Sequence, residues 1–344
     1  MIITTIPNIQ LEPSHMFSVI RDTIVPFIWF MIFSNYLLSL EYLKSKKFFD
    51  SLVLIGLFSV ILGLMQHFGG IFRFYNEELD RNYFSILSEG AVSAGIPSTG
   101  FFSYFNAYGL FIEMPILYTI VSAYYSVGKE RIKYEILSVI LLIGMYLSFS
   151  RGTYLSFLIS FLFILSLGMK KFRFVVYTVG VSIIFIFFQY ILPYFLSHQA
   201  QIGTLLFRFS IWQTGYDYFS TQSNWIYGMG PGMFMHLTGS LYDVHNEYLM
   251  HLFENGLIGF AALIYLVLVL ISESYLFFKK AQTNIAKTIS LSCVVIFIGY
   301  FTQELIEHSF NSIIFRLLIF SIGALLINGK NDDTAWIEKK SLKS

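Results

Sequence analysis

The chain has 344 residues, of which 56% are hydrophobic and only 12% are charged. A soluble domain has about 25% charged residues, so this composition places the chain in the membrane class. The net charge of +1 gives no reason to expect a nucleic-acid partner, and a single cysteine excludes an intrachain disulfide framework and a cysteine metal cluster. Residues 1–23 mix polar and apolar side chains, so we expect no cleavable signal peptide there.

Stretches of about 20 mostly apolar residues are long enough to cross a membrane as helices. We predict nine of them, and therefore an all-α, polytopic membrane bundle that forms one domain over residues 1–344. They run near Ile24–Leu43, Phe49–Phe68, Asn106–Val127, Glu135–Ser150, Thr153–Leu167, Val175–Tyr194, Asn246–Ile271, Thr288–His308 and Asn311–Asn328. The two short helices on either side of Ser150 nearly abut, which predicts a hairpin.

Basic residues indicate the orientation, because lysine and arginine concentrate in cytoplasmic loops. One side of the predicted bundle carries 16 of the 22 basic residues, including every lysine, so we expect that side and the C-terminus to be cytoplasmic. The other six are Arg21, Arg73, Arg81, Arg151, Arg208 and Arg316. The opposite side has two long loops, near 69–105 and 195–245, and long loops are commonly functional. The working face is therefore expected outside, where ATP is scarce and a substrate must arrive already activated.

Two of the outer arginines have distinctive surroundings. Arg151 lies in SFSRGTYLSF at the predicted hairpin tip, where we expect Gly152 to permit the tight turn. It either reaches the membrane interface or forms an anion site. Arg208 lies in TLLFRFSIWQTGYDYF and either contacts lipid headgroups or takes part in a site. Apolar side chains recur there every three or four residues, which predicts an amphipathic helix lying flat on the membrane: Leu205, Phe209, Trp212, Tyr216 and Phe219.

The stretch DVHNEYLMHLFENGLIGF, residues 243–260, begins the seventh predicted span. We expect Asp243 to cap a helix that begins near Val244, which places His245 in its first turn at the outer membrane surface. A polar stripe follows, formed by Glu247, His251 and Glu254. The stripe must face protein or water, because a charge facing lipid costs at least a few kcal/mol. Two glycines are expected to permit close packing against another helix, Gly256 and Gly259.

A glycine-rich segment and two acidic groups complete the candidates on the outer face. The segment YGMGPGMF, residues 227–234, predicts a turn that lets chain or substrate pass closely, with a backbone phosphate site as the alternative. Glu78 and Asp80 are spaced like an acidic pair that holds a divalent metal in some membrane enzymes, although such runs are usually solvated loops. Candidates for lining a cavity lie at the end of the eighth span, namely Glu304, Glu307 and His308.

In chain order, these segments resemble the O-antigen ligase and polymerase family over roughly residues 50–325. The family shows Ser-Arg-Gly at a hairpin tip, then an external arginine followed by an aromatic residue, then a G-x-G-x-x-x-F turn. The matching residues are Ser150, Arg151, Gly152, Arg208, Trp212, Gly228, Gly230 and Phe234. The pattern ends in H-N-x-x-L-x-x-L-x-E-x-G-x-x-G, which is filled by His245, Asn246, Leu249, Leu252, Glu254, Gly256 and Gly259. Relatives often have more spans than the nine predicted here.

The resemblance implies a GT-C-like bundle that transfers glycans from a polyprenyl pyrophosphate carrier to a glycan or lipid-linked glycan acceptor. The reaction takes place on the outer face of the bacterial cytoplasmic membrane and needs no metal or other cofactor. The resemblance also implies that Arg151 and Arg208 bind the pyrophosphate and that His245 lies at the reacting centre. We expect further substrate-binding roles for Asn246, Glu254 and Trp212. Guanidinium forks match phosphate oxygens, and a histidine titrates near neutral pH and so takes up an acceptor proton.

Three acceptors fit this expectation. A polymerase adds one lipid-linked repeat unit to another, a ligase transfers the chain to a lipid A core, and a third variant modifies a protein. We slightly favour the polymerase, because the bias toward Phe, Ile, Tyr and Lys suits a low-GC organism without lipid A. The alternative from another class is a transporter or flippase of lipid-linked glycans, but the sequence shows no internal repeat typical of transporters. A glycan-binding scaffold without catalysis is the third hypothesis.

Overall fold

The computed structural model describes residues 25, 28–32, 42–69, 98–102, 104–168, 199–222, 225–240, 243–307, 312 and 314–325. The regular elements in these ranges are helices: α1 (Tyr42–Gly69), α2 (Phe105–Tyr125), α3 (Gly128–Ser148), α4 (Arg151–Gly168), α5 (Gln199–Gln222), α6 (Phe234–Thr238), α7 (Glu247–Lys280), α8 (Asn284–Gln303) and α9 (Ile314–Leu325). Several predictions fall outside the described residues: the span Val175–Tyr194, most of the span Ile24–Leu43, Glu78, Asp80, His308 and the arginines Arg21, Arg73 and Arg81.

Four of the described helices are long and apolar enough to cross a membrane: Ser45–Phe68, Phe105–Tyr125, Glu247–Lys280 and Asn284–Gln303. Two shorter apolar helices cover Arg151–Leu167 and Ile314–Leu325. Each of these segments overlaps a predicted span. The prediction of an all-α membrane protein is therefore confirmed for the described residues, and the total of nine spans stays a prediction.

The chain divides into two compact units. Unit 1 comprises Met1–Leu40, Ile202–Glu273 and Glu304–Asn328, and unit 2 comprises Glu41–Gln201, Ser274–Gln303 and Gly329–Ser344. The single membrane domain expected over residues 1–344 stays a prediction.

In unit 2, α2 is the central helix and packs against α1, α3, α4 and α8. Sixteen of its 21 residues are buried, as is typical of a helix that is apolar on all sides. The segment before α2 is fastened to the end of α1 by Gln66. The Gln66 Oε1 atom accepts hydrogen bonds from the N–H groups of Thr99 and Gly100, both at 2.9 Å, and its Nε2 donates to the Gly100 carbonyl at 2.9 Å.

The predicted short link is confirmed, because α3 ends at Ser148 and α4 begins at Arg151, while the packing of the two helices as a hairpin stays a prediction. The link contains Phe149, whose φ of 53° is left-handed. Gly152 instead lies in the first turn of α4, so the prediction that it makes the turn is wrong. Ser150 caps α4 through its Oγ, which accepts a hydrogen bond from the N–H of the residue three positions later at 3.4 Å.

In unit 1, α7 is interrupted at Gly256, whose φ of 63° and ψ of −165° are not helical. Residues 247–255 therefore form a short helix, and residues 257–280 form a long one. At 1.5 Å per residue the long part measures about 36 Å, which is sufficient to cross the hydrocarbon core. The polar stripe of the sequence thus precedes the long apolar segment. The short helix contributes to a hydrophobic core that contains Ile211, Phe219, Met229, Met233, Phe234, Val244, Met250 and Phe253.

Candidate functional site

His245 has a left-handed backbone conformation, with a φ of 51°. Non-glycine residues in such conformations cost about 1–3 kcal/mol and persist where the surrounding structure holds them. Hydrogen bonds fix the neighbours on both sides. The Trp212 indole N–H donates to the Val244 carbonyl at 2.7 Å, and the Asn246 amide donates to the Leu305 carbonyl at 2.8 Å. Trp212 and Asn246 thereby position the backbone of His245.

The helix that follows His245 begins at Glu247, three residues later than expected. Asn246 is its N-cap, because the Asn246 Oδ1 accepts a hydrogen bond from the Leu249 N–H at 2.9 Å. Asp243 instead accepts a hydrogen bond from the N–H of the next residue at 2.9 Å. The prediction that Asp243 caps the helix is wrong, since the left-handed turn at His245 delays the start of the helix.

Glu307 connects Arg208 with His245. The Arg208 Nη2 atom lies 3.0 Å from Glu307 Oε1, and its Nη1 donates to the Ile306 carbonyl at 2.8 Å. The other carboxylate oxygen, Oε2, lies 3.8 Å from His245 Nδ1, which is longer than a hydrogen bond. The side chain of Glu307 is 7% exposed, against 21% for Arg208 and 25% for His245. Two predicted site residues therefore meet around a carboxylate that the sequence offered only as a cavity-lining candidate.

The helix predicted around Arg208 is confirmed as part of α5, with Arg208 and Trp212 one turn apart. The apolar stripe expected on it is only partly buried within unit 1. Buried positions on this helix include Ile211, Gly215 and Phe219. The exposed aromatic residues on this helix include Phe207, Phe209 and Tyr216. The expectation that this helix lies flat on a membrane stays a prediction.

Glu254 fixes the glycine-rich turn. Its carboxylate accepts hydrogen bonds from the Gly232 N–H at 2.8 Å and from the Phe234 N–H at 3.1 Å, and the residue is 4% exposed. A backbone phosphate site would use N–H groups of this kind. In this structure, these two N–H groups already donate to the carboxylate of Glu254. The predicted substrate-binding role of Glu254 stays a prediction, while its contacts stabilise the turn.

The break in α7 accommodates the chain that leads into this turn. The N–H of Leu257 donates to the Trp225 carbonyl at 2.9 Å, and a Cβ on Gly228 would lie 2.5 Å from the backbone nitrogen of Gly256. The turn prediction is confirmed, because the chain does pass closely here. The prediction that Gly256 packs against another helix is wrong, and the same prediction for Gly259 stays a prediction. Gly256 contacts the turn, and a Cβ on Gly259 would meet a side chain of its own helix.

The polar stripe of α7 faces protein, as expected. His251 Nε2 lies 3.3 Å from Glu247 Oε1, and Asn255 Nδ2 lies 2.9 Å from His251 Nδ1. Arg316 on α9 is 5% exposed, and its charge acts on both Glu247 and His251. Arg316 had no role in the sequence argument. The sequence did contain an indication of such a cation, because a carboxylate buried beside apolar spans requires a cation nearby.

Arg151 belongs to unit 2, where it is the exposed first residue of α4. The N-terminus of a helix carries the positive end of the helix dipole. Backbone and side chain therefore both present positive charge at this end of α4. Arg208 and His245 belong to unit 1, and the joint action of all three residues on one substrate stays a prediction.

Residues 136–264 match the family model for O-antigen ligase. The predicted resemblance to the O-antigen ligase and polymerase family is thereby confirmed. A comparison with curated proteins found no match. The matched range includes Arg151, Arg208 and the whole motif from His245 to Gly259. Together, the apolar helices and this match support an integral membrane protein that is similar to O-antigen ligase over residues 136–264.

Glu307 and Arg316 lie beyond the O-antigen ligase match, and the structure alone brings them to the site. Within the described ranges, no group of three or more His, Cys, Asp or Glu side chains is arranged to hold a metal ion. The metal alternative at Glu78 and Asp80 concerns residues outside those ranges and stays untested.

Proposed function

We propose that this protein is a membrane glycosyltransferase that joins glycans supplied on a polyprenyl pyrophosphate. The O-antigen ligase match and the membrane-spanning helices support glycan ligation at a membrane. The observation that carries the proposal is the group Arg208, Glu307 and His245, in which a guanidinium fork and an imidazole share one buried carboxylate. The fork is suited to a phosphate leaving group, and the imidazole is suited to an acceptor proton.

Arg208 is proposed to stabilise the leaving group. When the bond between the anomeric carbon and the phosphate oxygen breaks, its electron pair stays on the pyrophosphate. Arg208 has five N–H donors, and three of them take no part in its bonds to Ile306 and Glu307. A planar fork matches phosphate oxygens, and such charge stabilisation is worth about 3–4 kcal/mol per donor in a water-poor site.

His245 is proposed to act as the general base. The acceptor hydroxyl oxygen forms the new bond to the anomeric carbon, and its proton passes to the imidazole. Nδ1 lies 3.8 Å from Glu307 Oε2, and Nε2 is proposed as the atom that accepts the proton of the hydroxyl. A positioned general base contributes about 10²–10⁴-fold to the rate. The fixed backbone around His245 supports this role, because a base must be held within hydrogen-bond reach of the proton it removes.

Arg151 is proposed as a second pyrophosphate-binding residue. By resemblance, the arginine at the hairpin tip binds the donor, and its position at the start of α4 adds the favourable dipole of a helix N-terminus. Anions bind readily at such ends. This role is independent of the contacts described for unit 1.

The finer features of the reaction are proposals of the same kind. We infer that it proceeds on the outer face of the bacterial cytoplasmic membrane, with the lysine-rich side and the C-terminus in the cytoplasm. The donor carries its own leaving group, so neither ATP nor a metal is required. A polymerase that joins lipid-linked repeat units is favoured over a ligase that uses a lipid A core.

Reconstitution tests this function. The purified protein is placed in liposomes with the lipid-linked oligosaccharide fraction of a strain that lacks the gene, without ATP and with a metal chelator. Growth of glycan chains supports the polymerase, and transfer that requires added lipid A core supports the ligase. Movement of the lipid-linked glycan across the bilayer without a new glycosidic bond would replace the enzyme with the flippase.

A further inference from the structure

Glu307 is the residue of the site that the mechanism above leaves without a function. It lies four residues after the end of α8, in a turn that begins at Glu304. Its two carboxylate oxygens face different partners, Arg208 at 3.0 Å and His245 at 3.8 Å. A buried carboxylate between the phosphate-binding cation and the base is placed to influence both.

The turn that carries Glu307 is fastened by its backbone. The N–H of Glu247 lies 3.0 Å from the Glu304 carbonyl and 3.2 Å from the Glu307 carbonyl. The Ile306 carbonyl accepts the bond from Arg208. These backbone hydrogen bonds hold the turn of Glu307 against the start of α7, which is close in sequence to His245. The position of Glu307 is therefore fixed before any substrate binds.

The distances show which partner the carboxylate favours in this structure. The contact with Arg208 is a charge-assisted hydrogen bond, whereas the contact with His245 is too long to be one. A diphosphate bound to Arg208 offers competing oxygens to the guanidinium. A small rotation of the Glu307 side chain then closes the gap to His245 Nδ1. A carboxylate that accepts the Nδ1–H fixes the tautomer in which Nε2 is the proton acceptor.

We propose that Glu307 is a positioning residue that couples donor binding to orientation of the base. It holds Arg208 in the resting site and orients His245 once the pyrophosphate has taken its place on the guanidinium. This inference rests on the proposed function. Glu307 then weakens donor binding, because it competes with the donor for Arg208. It also raises kcat, because it orients His245.

Other charged groups surround this arrangement. Asp243 lies two residues before His245, and Glu304 lies on the same turn as Glu307. Arg316 on α9 interacts electrostatically with Glu247 at the start of α7. These groups are unchanged in a Glu307 variant, so the comparison of variants isolates the one carboxylate that contacts both Arg208 and His245.

The opposite effects of Glu307 on donor binding and on kcat are the basis of the test. In Glu307→Gln, kcat for transfer is expected to fall about 10²-fold, because the base loses its orientation. Binding of undecaprenyl pyrophosphate is expected to be equal to that of the wild type or tighter, because a competitor for Arg208 is gone. A merely structural role predicts weaker binding together with slower turnover, and that result would overturn the proposal. Glu135→Gln is the matched control, since Glu135 forms an exposed pair with Arg131, and it should leave both quantities unchanged.

Two further variants keep the proposal testable if Glu307→Gln folds poorly. Glu307→Asp retains the charge on a shorter side chain and should recover about tenfold of the lost kcat. In a double-mutant cycle, His245→Ala with Glu307→Gln should be no slower than His245→Ala alone, because the two residues act as a unit. Additive losses, or an aspartate no better than glutamine, would overturn the coupling. A wild-type protein that forms no glycosidic bond would instead disprove the proposed function.

Discussion

The surroundings of His245 in unit 1 and those of Arg151 in unit 2 place a functional group in two different ways. His245 is held through its neighbours, whose hydrogen bonds reach α5 and the turn after α8. Arg151 is placed by local geometry alone, as the first residue of a helix that follows a two-residue link. The first arrangement depends on side chains distant in sequence, and the second depends on the backbone of one short link.

This difference indicates what each residue contributes. A general base needs a defined position, because proton transfer requires hydrogen-bond reach. A cation that attracts a phosphate works over a longer distance and tolerates more freedom. We therefore expect substitutions around His245 to be far more damaging than conservative substitutions at Arg151.

The largest effect is expected for His245→Ala. Transfer should fall by up to about 10⁴-fold, because the acceptor proton has no base. His245→Gly is a useful second variant, since glycine adopts a φ of 51° without strain. Both are measured as glycan growth in liposomes, with thermal unfolding as a check on the fold. His236→Ala, an exposed histidine on α6, is the control and should remain active. Retained turnover in both His245 variants would remove its proposed role.

The next effect is on stability and concerns Gly228. Gly228→Ala combines a φ of 75° with a Cβ only 2.5 Å from the backbone nitrogen of Gly256, so we expect destabilisation of about 4 kcal/mol. Gly239→Ala is the matched control in unit 1. Its φ is 67°, but a Cβ there meets none of the described atoms within 4 Å, so it should cost only about 1–2 kcal/mol. Thermal unfolding in detergent measures both, and equal losses would show that the close approach of Gly228 and Gly256 does not matter.

A smaller loss is expected for Arg208→Lys. Lysine keeps the charge but cannot bond both Ile306 and Glu307 while presenting a fork to phosphate, so kcat/KM for the donor should fall about 10²-fold. Arg131→Lys, at an exposed arginine paired with Glu135, is the control. Wild-type kinetics in Arg208→Lys would argue against bidentate binding.

The smallest effect is expected for Arg151→Lys. The charge and the helix N-terminus both remain, and only the fork is lost, so kcat/KM should fall about tenfold. The same liposome assay measures it. A loss as large as that of Arg208→Lys would contradict the contrast between the two units.

The sequence predicted the described helices and the glycine-rich turn well, because both depend on local pattern. Apolar stretches of spanning length indicated the membrane helices, and the short link at Ser150 followed from two short stretches that nearly abut. The turn near Gly228 followed from its glycines. The role of Gly152 was misassigned, since a left-handed Phe149 is not a pattern that residue preferences reveal.

The contacts between distant segments were beyond sequence reasoning. The local pattern did not indicate that Glu254 would satisfy the amides of the turn, and it indicated a cation near Glu247 without identifying it as Arg316. The sequence offered Glu307 as a cavity-lining candidate but could not show that it lies between Arg208 and His245. Such pairings depend on how the segments pack, and a single sequence does not contain that information.

We propose above all that His245 and Arg208 catalyse the formation of a glycosidic bond in which a lipid pyrophosphate is the leaving group. This proposal is tested most directly by counting both products in liposomes that carry ³²P-labelled lipid-linked glycan. We expect one polyprenyl pyrophosphate to be released for each glycosidic bond that the wild type forms, and neither product from His245→Ala. Labelled glycan that crosses the bilayer with its pyrophosphate bond intact would contradict it.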